Sequence, residues 1–298
     1  CLTLLLGRPH GSATQTGWES GWEPVARGAA EVWQASGMTV RVEDVGSVRV
    51  ITIDRPEVRN AVDGPTSQLL YEMFVDFDGD DSVAVAVLTG SNGAFCAGAD
   101  LKGISAGRGN SVNVDPADEI VGSLGPMGPT RLSLDKPVIA AVEGHAVAGG
   151  LELACWADLR VAAADAIFGV YCRRWGVPLV DGGTIRLTRL IGHSRALDLM
   201  LTGRGVDGVE AERIGLVNRV VEHGQALGAA IELAGEIAAL PQICLRSDRR
   251  SSYDQWSLDL GGALPDLLQL GCGLPDFVEE RACQGVRVDR LGNEDSVT

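Results

Sequence analysis

The chain has 298 residues, 45% of them hydrophobic, and carries a formal net charge of -15 at pH 7. This length can bury one large core with a helical appendage, so a second independent domain is not required. The acidic balance argues against a nucleic-acid partner and against a membrane surface, because phosphate backbones and anionic lipids are bound by basic surfaces. No apolar run approaches the roughly 18 residues that cross a bilayer.

The seven cysteines are scattered without C-x-x-C spacing, which fits reduced thiols. The opening C-L-T-L-L-L is too short for the core of a secretory signal. We therefore predict a cytoplasmic protein.

His145 has no second histidine at ligand spacing, so we predict that it packs within the fold and that the chain holds no metal.

Residues 1–37 show no strand or helix pattern. We predict that they lie outside the fold as a disordered or non-native extension, with Met38 as the native start. An ordered arm on a neighbouring subunit is the alternative. Residues 38–53 alternate in hydrophobicity around Gly46, which predicts a pair of strands at the start of a core spanning 38–240.

Strand and helix patterns alternate through the rest of the chain. Predicted strands lie at 83–88, 136–142, 159–162 and 217–221. Predicted helices lie at 65–77, 116–134 with a break at 125–129, 207–214, 224–240 and 243–256, the last of these within a C-terminal helical region, 241–298. Such alternation implies parallel β-α units stacked in a right-handed sense, and therefore an α/β fold.

The stretch 136–158, K-P-V-I-A-A-V-E-G-H-A-V-A-G-G-L-E-L-A-C-W-A-D, predicts a buried strand, a tight connection and an apolar helix. Glu152 lies in the first turn of that helix, just beyond a glycine pair. The first N–H groups of a helix have no intrahelical acceptor, so backbone donors are left beside an acid. This pairing suits chemistry in which negative charge develops on a carbonyl oxygen while a carboxylate moves a proton.

A second small-residue turn, N-G-A-F-C-A-G-A-D-L-K at 92–102, follows a strand-like run and can supply a second donor. Together with R-P-E-V-R-N-A at 55–61 and W-G-V-P-L-V-D-G-G-T at 175–184, these segments resemble the enoyl-CoA hydratase/isomerase family, or crotonase superfamily. The resemblance runs from about residue 38 to about residue 256. It implies the crotonase (ClpP-like) β-β-α spiral with a C-terminal helical region.

The resemblance also implies a function. The substrate would be an acyl-CoA, with coenzyme A as part of the substrate and no separate cofactor, and the assembly a homotrimer or hexamer. The amides of Ala99 and Gly149 would form an oxyanion hole, and Glu152 would transfer protons with a pKa raised by its apolar neighbours. Substrate contacts would come from Arg59, Ala61, Ala97, Asp100, Leu101, Lys102, Tyr171 and Trp175, with Arg59 and Lys102 as candidates for the CoA phosphates.

One departure from the family pattern bears on the reaction. The second catalytic glutamate of the hydratases is missing, and Cys172 occupies its place. A thiol there could act as an acid or base if Arg173 or Arg174 lowered its pKa; a small buried cysteine is the alternative. Asp181, in D-G-G-T, matches a catalytic aspartate of the dienoyl-CoA isomerases, or alternatively starts the helix that follows it.

The leading hypothesis is therefore hydration of a trans-2-enoyl-CoA, with Glu152 moving the proton and Asp181 assisting. Double-bond isomerisation by Glu152 and Asp181 is the nearest alternative. Hydrolysis or dehalogenation with Asp181 as the nucleophile is a third possibility. A binding protein that retains the acyl-CoA scaffold without turnover is the alternative from another functional class.

Overall fold

The computed structural model describes residues 24–27, 30–33, 39–110, 112, 120–259 and 262–263. Within them, eight strands form one large sheet and three short strands form a second one. The large sheet contains, in spatial order, β1 (Pro24–Arg27), β2 (Ala30–Trp33), β3 (Val40–Val45), β4 (Val48–Ile53), β5 (Val85–Gly90), β6 (Val138–Val142), β8 (Leu159–Ala163) and β11 (Arg219–Val221). The small sheet contains β10 (Gly205–Asp207), β9 (Ile167–Gly169) and β7 (His145–Val147).

The first six helices lie between these strands in the chain, and the last two follow β11. They are α1 (Gly64–Gly79), α2 (Leu101–Ser105), α3 (Gly149–Trp156), α4 (Gly183–Ile191), α5 (His193–Thr202), α6 (Gly208–Arg213), α7 (Ala226–Ala238) and α8 (Gln242–Asp254). Short 3₁₀ helices lie at Pro56–Val58, Pro129–Arg131, Tyr171–Trp175 and Gln255–Ser257. Of the helices predicted from sequence, those near 65–77, 207–214, 224–240 and 243–256 are confirmed.

The order of the strands produces a spiral. After the antiparallel hairpin of β3 and β4, which turns at Gly46 with φ +62°, the strands β4, β5, β6, β8 and β11 pair in parallel. Strand β6 is followed by β7 and then by α3, and β8 is followed by β9. These two turns of the chain therefore each add one strand to each sheet, and β7 pairs with β9 in parallel. This is the β-β-α arrangement that the resemblance implied.

The central strands of the large sheet are buried on both faces. Along β5, Ala86 and Leu88 belong to the larger apolar cluster, whereas Val85 and Val87 belong to a smaller cluster on the opposite face, covered by α7. Burial on both faces explains why these strands read as continuous apolar runs.

Among the described residues, no single helix has the length and hydropathy to cross a membrane. In the part of the chain that the structure describes, only α7 together with Gln242–Ser257 meets the length and composition test, and a 109° bend separates the two.

The prediction that nothing before Met38 joins the fold is wrong for two segments. Strands β1 and β2 form an antiparallel hairpin, and β2 pairs with β3 in register from Glu31↔Asp44 to Trp33↔Val42. The free edge of β3 supplies backbone partners that the weak pattern of this segment does not reveal. The remaining residues of the predicted extension lie outside the described part, and the native start stays a prediction.

The prediction of a helix over 116–134 is also wrong where the structure describes it. Residues 120–134 form turns and one short 3₁₀ helix, Pro129–Arg131. Gly122 and Gly128 have φ values of +91° and +93°, which a helix does not permit, and Gly125 pairs with Gly128 through two backbone hydrogen bonds. Residues 116–119 and 264–298, including the end of the predicted C-terminal region, lie outside the described residues.

Candidate active site

The small-residue turn at 92–102 leaves one backbone amide facing away from the neighbouring segment. Gly98 O accepts a hydrogen bond from Val62 N, and Asp100 N donates to Val62 O, both at 2.8 Å. Because successive peptide groups of an extended chain point to opposite sides, the N–H of Ala99 between them points away from Val62. Ala99 N has no acceptor among the described residues.

The small-residue turn that precedes Glu152 leads from β7 into α3. Ala148, just before the helix, has φ +53° and ψ -123°, an unusual conformation for a residue with a side chain. Gly149 is the first residue of α3, so its N–H has no intrahelical acceptor, and it finds no other partner within the described residues. This turn therefore offers the second unpaired amide that the sequence predicted.

The two turns lie against each other. Cys96 and Ala146 form a parallel β-bridge that joins their strands. A Cβ atom placed on Gly98 would lie 2.9 Å from Gly149 N, so only glycine allows this approach without a shift of the backbone. Ala99 and Gly149 both line a cavity of about 170 Å³. The spatial convergence of the predicted donor residues is thus present in the structure.

Glu152 lines the same cavity and is only 3% exposed. Its Oε1 accepts hydrogen bonds from Asp181 N and Gly183 N, each at 2.9 Å. Its Oε2 has no hydrogen-bond partner among the described residues. Burial, followed by the charge of Asp181, raises the pKa of Glu152 to about 7, in the direction expected from its apolar surroundings.

Asp181 is the second carboxyl group in the cavity and is 4% exposed. Its Oδ1 accepts hydrogen bonds from Met127 N at 2.9 Å and from the Thr130 hydroxyl. Burial raises the pKa of Asp181. The alternative that Asp181 caps the following helix is wrong, because Gly182 holds the N-cap position of α4 and no side chain caps that helix.

Cys172 also lines the cavity and is 7% exposed. Burial, followed by the charge of Glu152, raises the pKa of its thiol. The hypothesis that Arg173 or Arg174 lowers this pKa below its ordinary value is therefore wrong. Both arginines are exposed: Arg173 Nε donates to Met200 O, and Arg174 stacks on the ring of Tyr171.

The predicted substrate-binding residues divide into two groups. Four of them line the cavity: Ala97, Leu101, Tyr171 and Trp175, the last with 72% of its surface exposed. Arg59, Ala61, Asp100 and Lys102 do not line it. Arg59 and Lys102 are exposed, as a contact with CoA phosphates requires, whereas Ala61 is buried.

Asp100, predicted as a substrate contact, instead makes contacts within the protein away from the cavity. Its Oδ2 lies 3.0 Å from Arg55 Nη2, and its Oδ1 accepts hydrogen bonds from the first amides of α2. Arg55 also pairs with Asp63. Its buried guanidinium, through Asp100, therefore joins the R-P-E-V-R-N-A segment to the turn at 92–102. Sequence reasoning missed Arg55, although it continues the period-2 alternation of the buried residues Ile51 and Ile53, which was a signal that it faces inward.

His145 is exposed, which contradicts the prediction that it packs within the fold. It begins β7, a short strand of the small sheet, and only Ala146 and Val147 of that strand are buried. Among the described residues one cluster, Glu143, Asp165 and His223, brings three possible metal-ligand atoms within 4.8 Å of one another. None of the three lines the cavity described above.

Residues 43–257 match the family model described as enoyl-CoA hydratase/isomerase. The chain belongs to this family. It is 34% identical over 259 residues to the enoyl-CoA hydratase EchA19 of Mycobacterium tuberculosis, covering 85% of this chain and 93% of that protein. It is 37% identical over 211 residues to the mevalonyl-coenzyme A hydratase sidH of Aspergillus fumigatus, covering 71% and 76%.

A solved structure shows the same fold. The enoyl-CoA hydratase EchA1 of Mycobacterium marinum superposes with a TM-score of 0.74 at 35% sequence identity, covering 83% of this chain and 93% of that one. The spiral is therefore the crotonase fold. The family match and these relatives support an enzyme of the hydratase type that acts on enoyl-CoA thioesters.

Proposed function

We propose that this protein adds water to trans-2-enoyl-CoA thioesters, using the amides of Ala99 and Gly149 as an oxyanion hole. The observation that carries the proposal is that both unpaired amides and the buried carboxyl of Glu152 line one cavity. Addition at the β-carbon of an enoyl thioester moves charge onto the thioester oxygen. Two preorganised donors stabilise that charge, and removal of one donor typically costs about 2.7–4 kcal/mol.

Glu152 is proposed to move the proton. A general base works best when its pKa lies near the operating pH, and the pKa of Glu152 is about 7. The two amides on Oε1 hold the carboxyl group in one orientation and leave Oε2 for water. In the ionised form Glu152 takes a proton from water as the oxygen attacks the β-carbon. It then returns the proton to the α-carbon.

Asp181 is proposed to assist Glu152, because its own carboxyl group lines the same cavity. Its backbone N–H donates to Glu152, and its carboxyl oxygen Oδ2 has no partner among the described residues. Asp181 thus supplies a second carboxyl where the family's second glutamate is missing. Cys172, whose raised pKa keeps the thiol protonated, is not proposed as the second acid or base.

The test is loss of the enoyl-thioester ultraviolet band when crotonyl-CoA is mixed with the full chain. The hydration proposal expects decay of the band, with a fall of about 10²–10⁴-fold in Glu152→Gln. No decay with crotonyl-CoA, together with turnover of a dienoyl-CoA, would replace hydration by isomerisation. The presence of two carboxyl groups in one cavity is the observation that favours that second candidate.

A binding protein without turnover would behave differently. Calorimetry would detect CoA binding, no acyl-CoA in a panel would be converted, and Glu152→Ala would leave binding unchanged. A covalent acyl mass trapped on Asp181 would instead indicate hydrolysis or dehalogenation.

Family kinship supports the remaining proposals: a homotrimer or hexamer, a cytoplasmic location, a role in fatty acid metabolism, and no cofactor beyond the CoA of the substrate. Light scattering after size-exclusion chromatography tests the assembly. Because the chain is acidic, the CoA phosphates need local cations, and the exposed side chains of Arg59 and Lys102 are proposed to supply them. Weaker binding of CoA by Arg59→Ala and Lys102→Ala tests that role.

A further inference from the structure

Cys172 is placed differently from the other cysteines that the structure describes. It lines the cavity with Ala99, Gly149 and Glu152. Cys96 and Cys155 are buried outside this cavity, and Cys244 is exposed. Of these four free thiols, Cys172 alone faces the space in which an acyl group would lie.

The cavity has the features of a site that receives a ligand. Glu152 and Asp181 are 3% and 4% exposed, and each has one carboxyl oxygen without a hydrogen-bond partner in the described part of the chain. Neither oxygen is among the fully buried unpaired side-chain atoms of the described residues, and both carboxyl groups line the cavity, so a ligand or water can reach these oxygens there. The thiol of Cys172 and the carboxyl group of Glu152 line this same cavity.

A thiol can add to the double bond of an enoyl thioester, as water does. The β-carbon of the double bond is an electrophile, and sulfur is a stronger nucleophile toward it than water oxygen. We propose that Cys172 adds reversibly to the β-carbon of small 2-enoyl-CoA thioesters and forms a covalent thioether in the cavity. This inference rests on the proposed function, because it uses the same amides and the same acid.

The step balances without an oxidant or reductant. The sulfur–carbon bond forms as the carbon–carbon π bond opens, and the resulting enolate oxygen is held by Ala99 N and Gly149 N. Glu152 takes the proton of the thiol and delivers it to the α-carbon. Because burial and the charge of Glu152 raise the pKa of this thiol, few thiolates form without a base, so the addition depends on Glu152. Reversal follows the same path.

The proposal orders substrates by access to the β-carbon. Propenoyl-CoA has no substituent on that carbon and reacts fastest, whereas the methyl group of crotonyl-CoA slows the approach of sulfur. Propenoyl-CoA therefore occupies the site as an adduct and inhibits turnover of crotonyl-CoA in a time-dependent manner. Removal of free propenoyl-CoA restores activity as the adduct decomposes.

The experiment incubates the full chain with propenoyl-CoA and measures the intact mass, followed by peptide mapping. One adduct per chain on Cys172 is expected. Cys172→Ser abolishes it, and the matched control Cys244→Ser leaves its rate unchanged. Glu152→Gln slows its formation by about 10²-fold or more, because the base is lost. The saturated analogue butyryl-CoA forms no adduct and protects the site.

The other outcomes separate this inference from the proposed function. If crotonyl-CoA is hydrated and butyryl-CoA binds, but no adduct forms, the inference fails and the function stands. An adduct that maps to a different cysteine also overturns the inference. If butyryl-CoA does not bind, crotonyl-CoA is not hydrated and no adduct forms, both are rejected.

Discussion

Gly98 provides the sharpest test of the oxyanion hole. It has φ +97°, and a Cβ atom on it would lie 2.9 Å from both Ala148 Cβ and Gly149 N. Gly98→Ala therefore forces the two turns apart, and the amides of Ala99 and Gly149 no longer converge on one oxygen. Losing one donor costs about 2.7–4 kcal/mol in the barrier, which is about 10²–10³ in kcat.

The substitution also carries a backbone cost that has to be separated from this effect. A residue with a side chain in the left-handed region costs about 1–2 kcal/mol. Gly46→Ala is the matched control: Gly46 has φ +62°, lies in the hairpin of β3 and β4, and an added Cβ would meet nothing within 4 Å. The control carries the conformational penalty without the collision at the active site.

The assay compares kcat for crotonyl-CoA and urea unfolding in the two variants. Both are expected to lose about 1–2 kcal/mol of stability, and Gly98→Ala somewhat more, because the turns must also separate. Only Gly98→Ala is expected to lose about 10²–10³ in kcat. Equal kcat values in the two variants would refute the idea that these amides jointly hold the substrate oxygen.

Three further changes probe the carboxyl groups. The ionised form of Glu152 is the base, so kcat/KM for crotonyl-CoA should fall as the pH drops below about 7; a profile that is flat from about pH 6 to about pH 8 would contradict this. Glu152→Gln should gain about 2 kcal/mol of stability relative to the parent between about pH 5.5 and about pH 8, measured by urea unfolding. Thr130→Val removes a donor to Asp181 and should lower the free energy of unfolding by about 1.5–3 kcal/mol, because a hydrogen bond to a charged group contributes that much to stability. Thr188→Val, which removes an exposed hydroxyl on α4, is its control.

The sign of the stability prediction follows from the raised pKa. Folded Glu152 holds its proton up to about pH 7, whereas in the unfolded chain it loses it near its ordinary value of 4.5. Its contribution to stability is therefore present at low pH and is lost as the pH rises through about 7. Glutamine stays neutral and can still accept the two amides on its oxygen. A variant that is no more stable at pH 8 than at pH 5.5, relative to the parent, would show that Glu152 is ionised throughout.

Much of the fold follows from local patterns in the sequence. The strand at 136–142 and the glycine pair before Glu152 predict β6, the turn and α3, and a small-residue turn after an apolar strand predicts the position of Ala99. These features depend on residues that are neighbours in the chain. Hydrophobic periodicity and the position of glycines therefore predict them. The edge strands β1 and β2 depend instead on pairing with β3, which composition alone does not reveal.

The surroundings of Asp181 show why the rest of the site was hidden. Its carboxyl is held by Met127 and Thr130, which precede it by 54 and 51 residues. The sequence pattern at 116–134 predicts a helix, whereas Gly125, Gly128 and the following 3₁₀ helix shape a loop that presents an amide and a hydroxyl to Asp181. A hydrogen bond between segments so far apart leaves no periodic signal in either of them.

The same backbone geometry creates both the donors and the acid of this site. Gly149 begins α3, so its amide is unpaired, and Glu152 follows one turn later on the buried side of that helix. The chain from Asp181 to Gly183 then passes over Glu152 so closely that a Cβ atom on Gly183 would lie 2.7 Å from Glu152 Cγ. That closeness supplies two amides to Glu152 and helps to bury its carboxyl group, and burial raises the pKa of Glu152 more than the two amides lower it. The fold thus loses stability at neutral pH by burying this carboxylate, and the proposed proton transfer requires that cost.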